Sequence, residues 1–139
     1  LVMVGFDLKK NPFKILAAYN DEGKITKEFN LNLLQRINKE LGADFQLTQF
    51  EHYPTYDPQT GCCKSFLVST ANQTVSLGHD VYIHFMQDEP IFMEISQKYE
   101  LDELAQIAQE CGFEPLMNFM DSKEYFVDAL WQRKEEEEE

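Results

Sequence analysis

Glu94-Ile95-Ser96 is the segment with the clearest chemical content. In an extended segment residues two apart share a face, so this spacing projects a carboxylate and a hydroxyl together and turns Ile95 away. Such a pair suits a ligand bearing N–H donors: an imidazole, an indole or an amine. A solvated strand face has the same spacing, and that plainer reading stands beside the first. A second group, Tyr19-Asn20-Asp21, closes a short helix beside the end of the first strand, where α/β folds place ligands. A phenol and an amide there would hold the polar end of a small substrate. A packed tyrosine followed by an ordinary turn is the alternative.

Other reactive side chains point away from catalysis. In Phe50-Glu51-His52-Tyr53, His52 shares a strand face with Phe50, which reads as a core histidine making one hydrogen bond. His79 falls in a turn and His84 in a strand, and no two histidines have metal-ligand spacing. Cys62 and Cys63 are adjacent and so face opposite ways on a strand; with Cys111 they make no disulfide framework, and reduced thiols in a cytoplasmic protein are expected. No serine occupies a nucleophile elbow. No catalytic group and no metal site are expected.

The elements that must position these residues alternate in character. Leu1 to Leu8 form an apolar run ending at Asp7 and Lys9-Lys10, which reads as a buried parallel strand opening onto a crevice. Pro12 starts a helix that stops at Asn20-Asp21-Glu22-Gly23. A second helix is expected from a Thr26 cap to Leu41, with Phe29, Leu33, Leu34, Ile37 and Leu41 on one stripe and Gly42 as its stop. Residues 45–99 then change to short strands: 50–56 and 62–69 around Asp57-Pro58-Gln59-Thr60-Gly61, and 74–77 and 81–85 around Gly78-His79-Asp80. About four of these make an antiparallel sheet, with 91–96 running extended out of it. A helix with a stripe at Leu101, Leu104, Ile107, Ala108 and Cys111 and two closing strands, 113–119 and 125–131, complete the pattern.

The chain has 139 residues, 43% of them hydrophobic, which is ample for a core. Its net charge of −13 includes the block Glu135 to Glu139, a self-repelling tail expected to be disordered, and the balance stays acidic without it. That sign disfavours nucleic acid and anionic membranes as partners. No apolar stretch approaches the roughly 20 residues of a membrane span. The absence of a glycine-rich nucleotide loop, together with a strand at the first residue, suggests the second half of an α/β domain.

Several runs, in order and spacing, resemble one family: Phe6-Asp7-Leu8-Lys9-Lys10; Leu16 to Asp21 with Gly23, Thr26 and Phe29-Asn30-Leu31-Asn32; Asn38 to Phe45; Phe50-Glu51-His52; and Glu94 to Tyr99. They resemble the histidine-specific S-adenosylmethionine-dependent methyltransferases, which trimethylate the α-amine of histidine on the way to ergothioneine. The resemblance covers nearly the whole chain up to the acidic tail and matches the carboxyl-terminal half of that family. It implies a mixed α/β and α+β fragment: the last strands and helices of a Rossmann-like methyltransferase sheet with an inserted antiparallel substrate-binding subdomain. The implied partition is 1–25 and 100–133 for the core, 26–99 for the insert and 134–139 for the tail.

The same resemblance implies that Tyr19 holds the backbone end of an amino-acid substrate and that Glu94 and Ser96 read its imidazole. Ser65 stands where this family carries a methionine near the imidazole, which leaves histidine, another amino acid or an amine open as the substrate. S-adenosylmethionine is the implied cofactor, its site mostly outside this chain, and the piece alone is expected to be inactive. The competing reading is a non-catalytic ligand-binding or dimerisation module, two copies pairing through the first strand's raw edge.

Overall fold

The computed structural model describes residues 1–134, so the expected disordered tail lies, Lys134 apart, outside the described residues. Their order is β1 (Val2–Asp7), α1 (Pro12–Tyr19), α2 (Ile25–Leu41), a 3-10 turn (Leu47–Gln49), β2 (Phe50–Asp57), β3 (Cys62–Ser69), β4 (Gln73–Ser76), β5 (Tyr82–Phe85), β6 (Pro90–Gln97), α3 (Leu101–Glu110), β7 (Phe113–Met120) and β8 (Phe126–Arg133). They form two compact units: one from residues 1–12, 57–62 and 97 onward, the other from 13–56 and 63–96.

In the first unit β8 lies between β1 and β7 and runs antiparallel to both, with Val2 opposite Trp131 and Asp7 opposite Phe126. The expectation of a parallel first strand is corrected here. The expected burial is corrected too: Val2, Val4 and Phe6 are half-buried while Leu1 and Met3 are exposed, because an apolar run does not report the direction of its partner or how many of its faces are covered. A parallel bridge joins Leu8 to Tyr99. Asp121 shapes the turn before β8: its carboxylate accepts the N–H groups of Tyr125 and Phe126 at 2.7 and 2.9 Å. Helix α3 lays Leu104 and Ala108 on Leu8, Val127, Ala129 and Trp131, and Phe6 stacks on Trp131. Glu103 accepts the N–H of Glu100 at 2.7 Å and so closes the helix start.

The turn at 57–62 belongs to this unit. Gly61 has φ +73°, and its carbonyl accepts the N–H of Lys98 at 2.8 Å. A Cβ there would run into the Lys98 carbonyl oxygen. Lys98 is 1% exposed, with its ammonium 2.6 Å from the Asp7 carboxylate; Lys10 meets the other oxygen at 2.5 Å.

In the second unit β3 lies between β2 and β6, while β4 and β5 pair antiparallel as a separate ladder. The sequence expects one sheet of about four strands that residues 91–96 leave. Instead 90–97 is the third strand, because Ile91 and Met93 pack on the core and Phe92 meets Phe66 on the other face. That core joins Leu34 of α2 to Phe45, Phe50, Leu67, Val75 and Phe85. Helix α2 begins at Ile25 rather than after a Thr26 cap. Lys24 precedes it at φ 57°, and Asp21 does the capping by accepting the N–H groups of Ile25 (2.8 Å) and Thr26 (3.2 Å). Gly42, at φ 73°, ends it as expected.

The stripe on α2 is rotated from its expected position. Phe29, Leu33 and Leu41 are exposed, whereas Asn30 and Leu34 are buried with Leu31 and Ile37 beside them. A polar residue has taken a core position on the helix, and its side chain leads to the site.

A candidate small-ligand site on the second unit

Asn30 is 3% exposed, so its amide must find partners inside the unit. Its Nδ2 donates to the Thr26 carbonyl one turn back at 3.0 Å and to Glu94 Oε1 at 3.5 Å. The second bond brings Glu94 of β6 against α2. Along β6 burial changes phase: Ile91 and Met93 are half-buried with Phe92 exposed between them, then Glu94 and Ser96 are half-buried with Ile95 exposed. Glu94 meets Asn30 of α2 directly after Met93, which packs on the core. Glu94 and Ser96 thus share a side and Ile95 turns away.

On β2, Phe50 enters the core and His52, two residues on, follows it inward, half-buried. His52 Nε2 is buried and has no hydrogen-bond partner among the described residues. Burial pushes its imidazole below the ordinary histidine range; the Glu94 and Asp21 carboxylates pull it back up, and the Lys27 ammonium adds to the fall. The ring is therefore neutral at pH 7 within the field of two carboxylates. Asp21 is held below the usual carboxylate range by the N–H groups it accepts from Ile25 and Thr26 and stays ionised.

Ser65, on the central strand, is 1% exposed, and its Oγ likewise lacks a partner among the described residues. Alternation along β3 buries Cys63, Ser65, Leu67 and Ser69 together, and Leu67 belongs to the core beneath α2.

Two clefts open onto part of this set, and neither is lined by Ser65 or Ser96. One of about 310 Å³ is lined by Tyr19, Asn20, Asp21, Glu22 and His52, among others. Another of about 240 Å³ is lined by Asn30, Glu94, Met93, Phe29, Leu33 and Arg36. Tyr19 and Glu94 thus line different clefts, with His52 in the wall of the first. Asn30 was not among the residues expected at the site, and the one hydrogen bond expected of a core His52 is not made at Nε2 among the described residues. The signal for Asn30 was available: an amide spaced four residues between Thr26 and Leu34 in an otherwise apolar helix stripe. The arrangement is one of acceptors, suited to N–H donors on a small ligand. No group of three or more metal-ligating side chains occurs among the described residues, and no helix is long and apolar enough to cross a membrane.

The model of a family described as histidine-specific methyltransferase, SAM-dependent, matches residues 1–133. The chain is 32% identical over 99 residues to a histidine N-alpha-methyltransferase of Mycobacterium tuberculosis, covering 70% of this chain and 31% of that protein. Over 112 residues it is 30% identical to the protein of the same name from Mycolicibacterium smegmatis, covering 80% and 35%. Ergothioneine biosynthesis protein 1 of Schizosaccharomyces pombe is 26% identical over 113 residues, covering 81% of this chain and 14% of that protein. The chain therefore spans about a third of the mycobacterial relatives' length and less of the yeast protein's.

Proposed function

The chain belongs to the SAM-dependent, histidine-specific methyltransferases, and from that premise we propose that its second unit is the substrate-reading part of an enzyme methylating the α-amine of histidine or a related amino acid or amine. Tyr19 holds the backbone end of the substrate, and Glu94 and Ser96 take the N–H of its side-chain ring. The observation that carries this reading is the Glu94 carboxylate, half-buried on the helix side of β6 and fixed by the buried Asn30 amide. A carboxylate held in a partly desolvated place by a neutral donor keeps its acceptor capacity for a ligand. Ser65 sits on the buried side of the neighbouring strand, where a small polar residue leaves room and a hydroxyl for the ring.

On this reading S-adenosylmethionine is the cofactor and its site lies mostly outside these residues. No glycine-rich turn follows a strand, and Asp7, at the carboxyl end of β1, is already engaged by Lys10 and Lys98. The cofactor site is accordingly assigned to sequence beyond these residues, as the last strands of a Rossmann-like sheet would require. What this chain supplies is positioning: a fixed amine and a ring read by polar groups, which is the protein's main contribution to an in-line transfer.

Calorimetric titration of S-adenosylhomocysteine and then L-histidine, into this chain and into the full-length gene product, tests the reading. Histidine binding that falls at least tenfold in Glu94→Gln is the expected result. Absence of binding by either protein would move the reading to a non-catalytic module.

A further inference from the structure

We propose that His52 is a third substrate contact, its Nε2 accepting a hydrogen bond from the amino group of the ligand that Tyr19 and Glu94 hold. The inference rests on the reading above and extends it to a residue that looked like ordinary core. Three observations carry it. First, Nε2 is buried and without a hydrogen-bond partner among the described residues, although buried polar atoms are nearly always satisfied. Second, His52 lines the same cleft as Tyr19, the residue assigned to the backbone end of the substrate, so the orphan nitrogen belongs to that end and not to the ring end. Third, the charged groups around it select a donor. Glu94 of β6 and Asp21 before α2 face the ring with negative charge and Lys27 of α2 with positive. Glu22, Lys24 and Glu51 add to the cleft wall.

A neutral imidazole there presents one acceptor nitrogen when its proton sits on Nδ1. An ammonium or amine N–H satisfies that acceptor and is welcomed by the two carboxylates; a second acceptor would leave the nitrogen unpaired. The ligand class is therefore a primary amine whose amino group enters beside Tyr19. The consequence for the reaction is orientation. A hydrogen bond on one N–H fixes the rotation of the amino group, and so the direction in which its lone pair emerges once a proton is lost.

The test compares two probes on the full-length gene product at pH 7.5: L-histidine, which carries the amino group, and 4-methylimidazole, which lacks it. His52→Leu is expected to weaken L-histidine about tenfold, the usual effect of one lost hydrogen bond to a charged group, and to leave 4-methylimidazole unchanged. His52→Gln, whose side-chain oxygen reaches the position of Nε2, is expected to recover most of the loss. Side-chain nitrogen NMR of the unsubstituted protein, independent of any variant's folding, should show the His52 Nε2 resonance moving with L-histidine and not with 4-methylimidazole. Equal weakening of both probes, or an unmoved resonance on saturation with L-histidine, would reduce His52 to a prop and overturn the proposal. Failure of L-histidine to bind the unsubstituted protein would instead remove the underlying reading, and this one with it.

Discussion

Asn30 donates through one nitrogen to two acceptors, the Thr26 carbonyl at 3.0 Å and the Glu94 carboxylate at 3.5 Å, and so ties the interior of α2 to β6. Replacing it with alanine leaves Glu94 without its donor and buries an empty space at the helix–sheet contact. The expected cost is about 1–2 kcal/mol in a urea titration, together with a several-fold loss of L-histidine affinity by calorimetry. Asn30→Asp sets a second carboxylate against Glu94 and should cost more on both measures. Lost stability with unchanged affinity would make Asn30 a packing residue only.

In the first unit Asp7 and Lys98 form a pair whose halves are unequally sheltered: the lysine side chain is 2% exposed and the aspartate 36%. Removing the exposed half takes the ionised partner away from a buried ammonium. Asp7→Asn should destabilise by about 3 kcal/mol, the lower end for a buried pair because Asp7 still meets water. The double substitution with Lys98→Met should regain most of it, which a denaturation cycle over the four proteins measures. Burial raises the Asp7 carboxyl, but the hydrogen bonds from Lys10 and Lys98 outweigh it and hold the group below its ordinary 3.8. The stability it contributes is thus complete above pH 3.8 and is lost as the pH falls through the lower folded value.

Much of this architecture was legible in the sequence where local chemistry decides it. Gly42 ending α2 and the strand at 62–69 both follow from residue type and spacing. Partner choice was not legible. Leu1 to Leu8 announced a strand, but only tertiary pairing shows that its neighbour is β8, antiparallel, and that Leu1 and Met3 stay exposed. Of the expected stripe Phe29, Leu33, Leu34, Ile37 and Leu41, Leu34 and Ile37 pack on the core while the other three are exposed, because helix α2 has apolar residues over a wide arc and the sheet selected the arc containing Asn30. At the site, the shared side of Glu94 and Ser96 was readable from a period of two. The contact of Glu94 with Asn30 directly after Met93 was not.

His52 gives the second unit its own pH response. Its folded value lies below the ordinary 6.5, chiefly through burial. The unfolded chain then binds the proton more readily, so the contribution to stability is complete above pH 6.5 and is lost as the pH falls through the folded value. Denaturation midpoints measured from pH 7.5 to 5 should decline for the natural protein and flatten over that interval in His52→Gln. A decline of equal size in both would assign the response to other groups.

Gly61→Ala probes the turn that joins β2 to β3. Its φ of +73° is strained for any residue with a Cβ, and the added carbon would meet the Lys98 carbonyl oxygen and come within 2.7 Å of Lys9 Cε. Backbone on one side cannot yield, so a loss above about 1–2 kcal/mol is expected, more than at an open glycine position. Gly112→Ala is the control. It shares the positive φ but has nothing within 4 Å, so the difference between the two melts isolates the collision from the backbone strain.

Ser65 offers the test that separates pocket chemistry from stability. A buried hydroxyl with no partner among the described residues costs its own desolvation, so Ser65→Ala should leave stability unchanged or raise it slightly, against the usual run of core substitutions. If Ser65 faces the ligand, the same change should still weaken L-histidine several-fold, since only the bound state gives the hydroxyl a partner. Ser65→Met installs a larger, apolar side chain in its place. Overpacking of a filled core would cost about 1–3 kcal/mol. A smaller loss, accompanied by altered preference between L-histidine and other amino acids or amines, would show that the space beside Ser65 belongs to the ligand and that this one position selects what enters it.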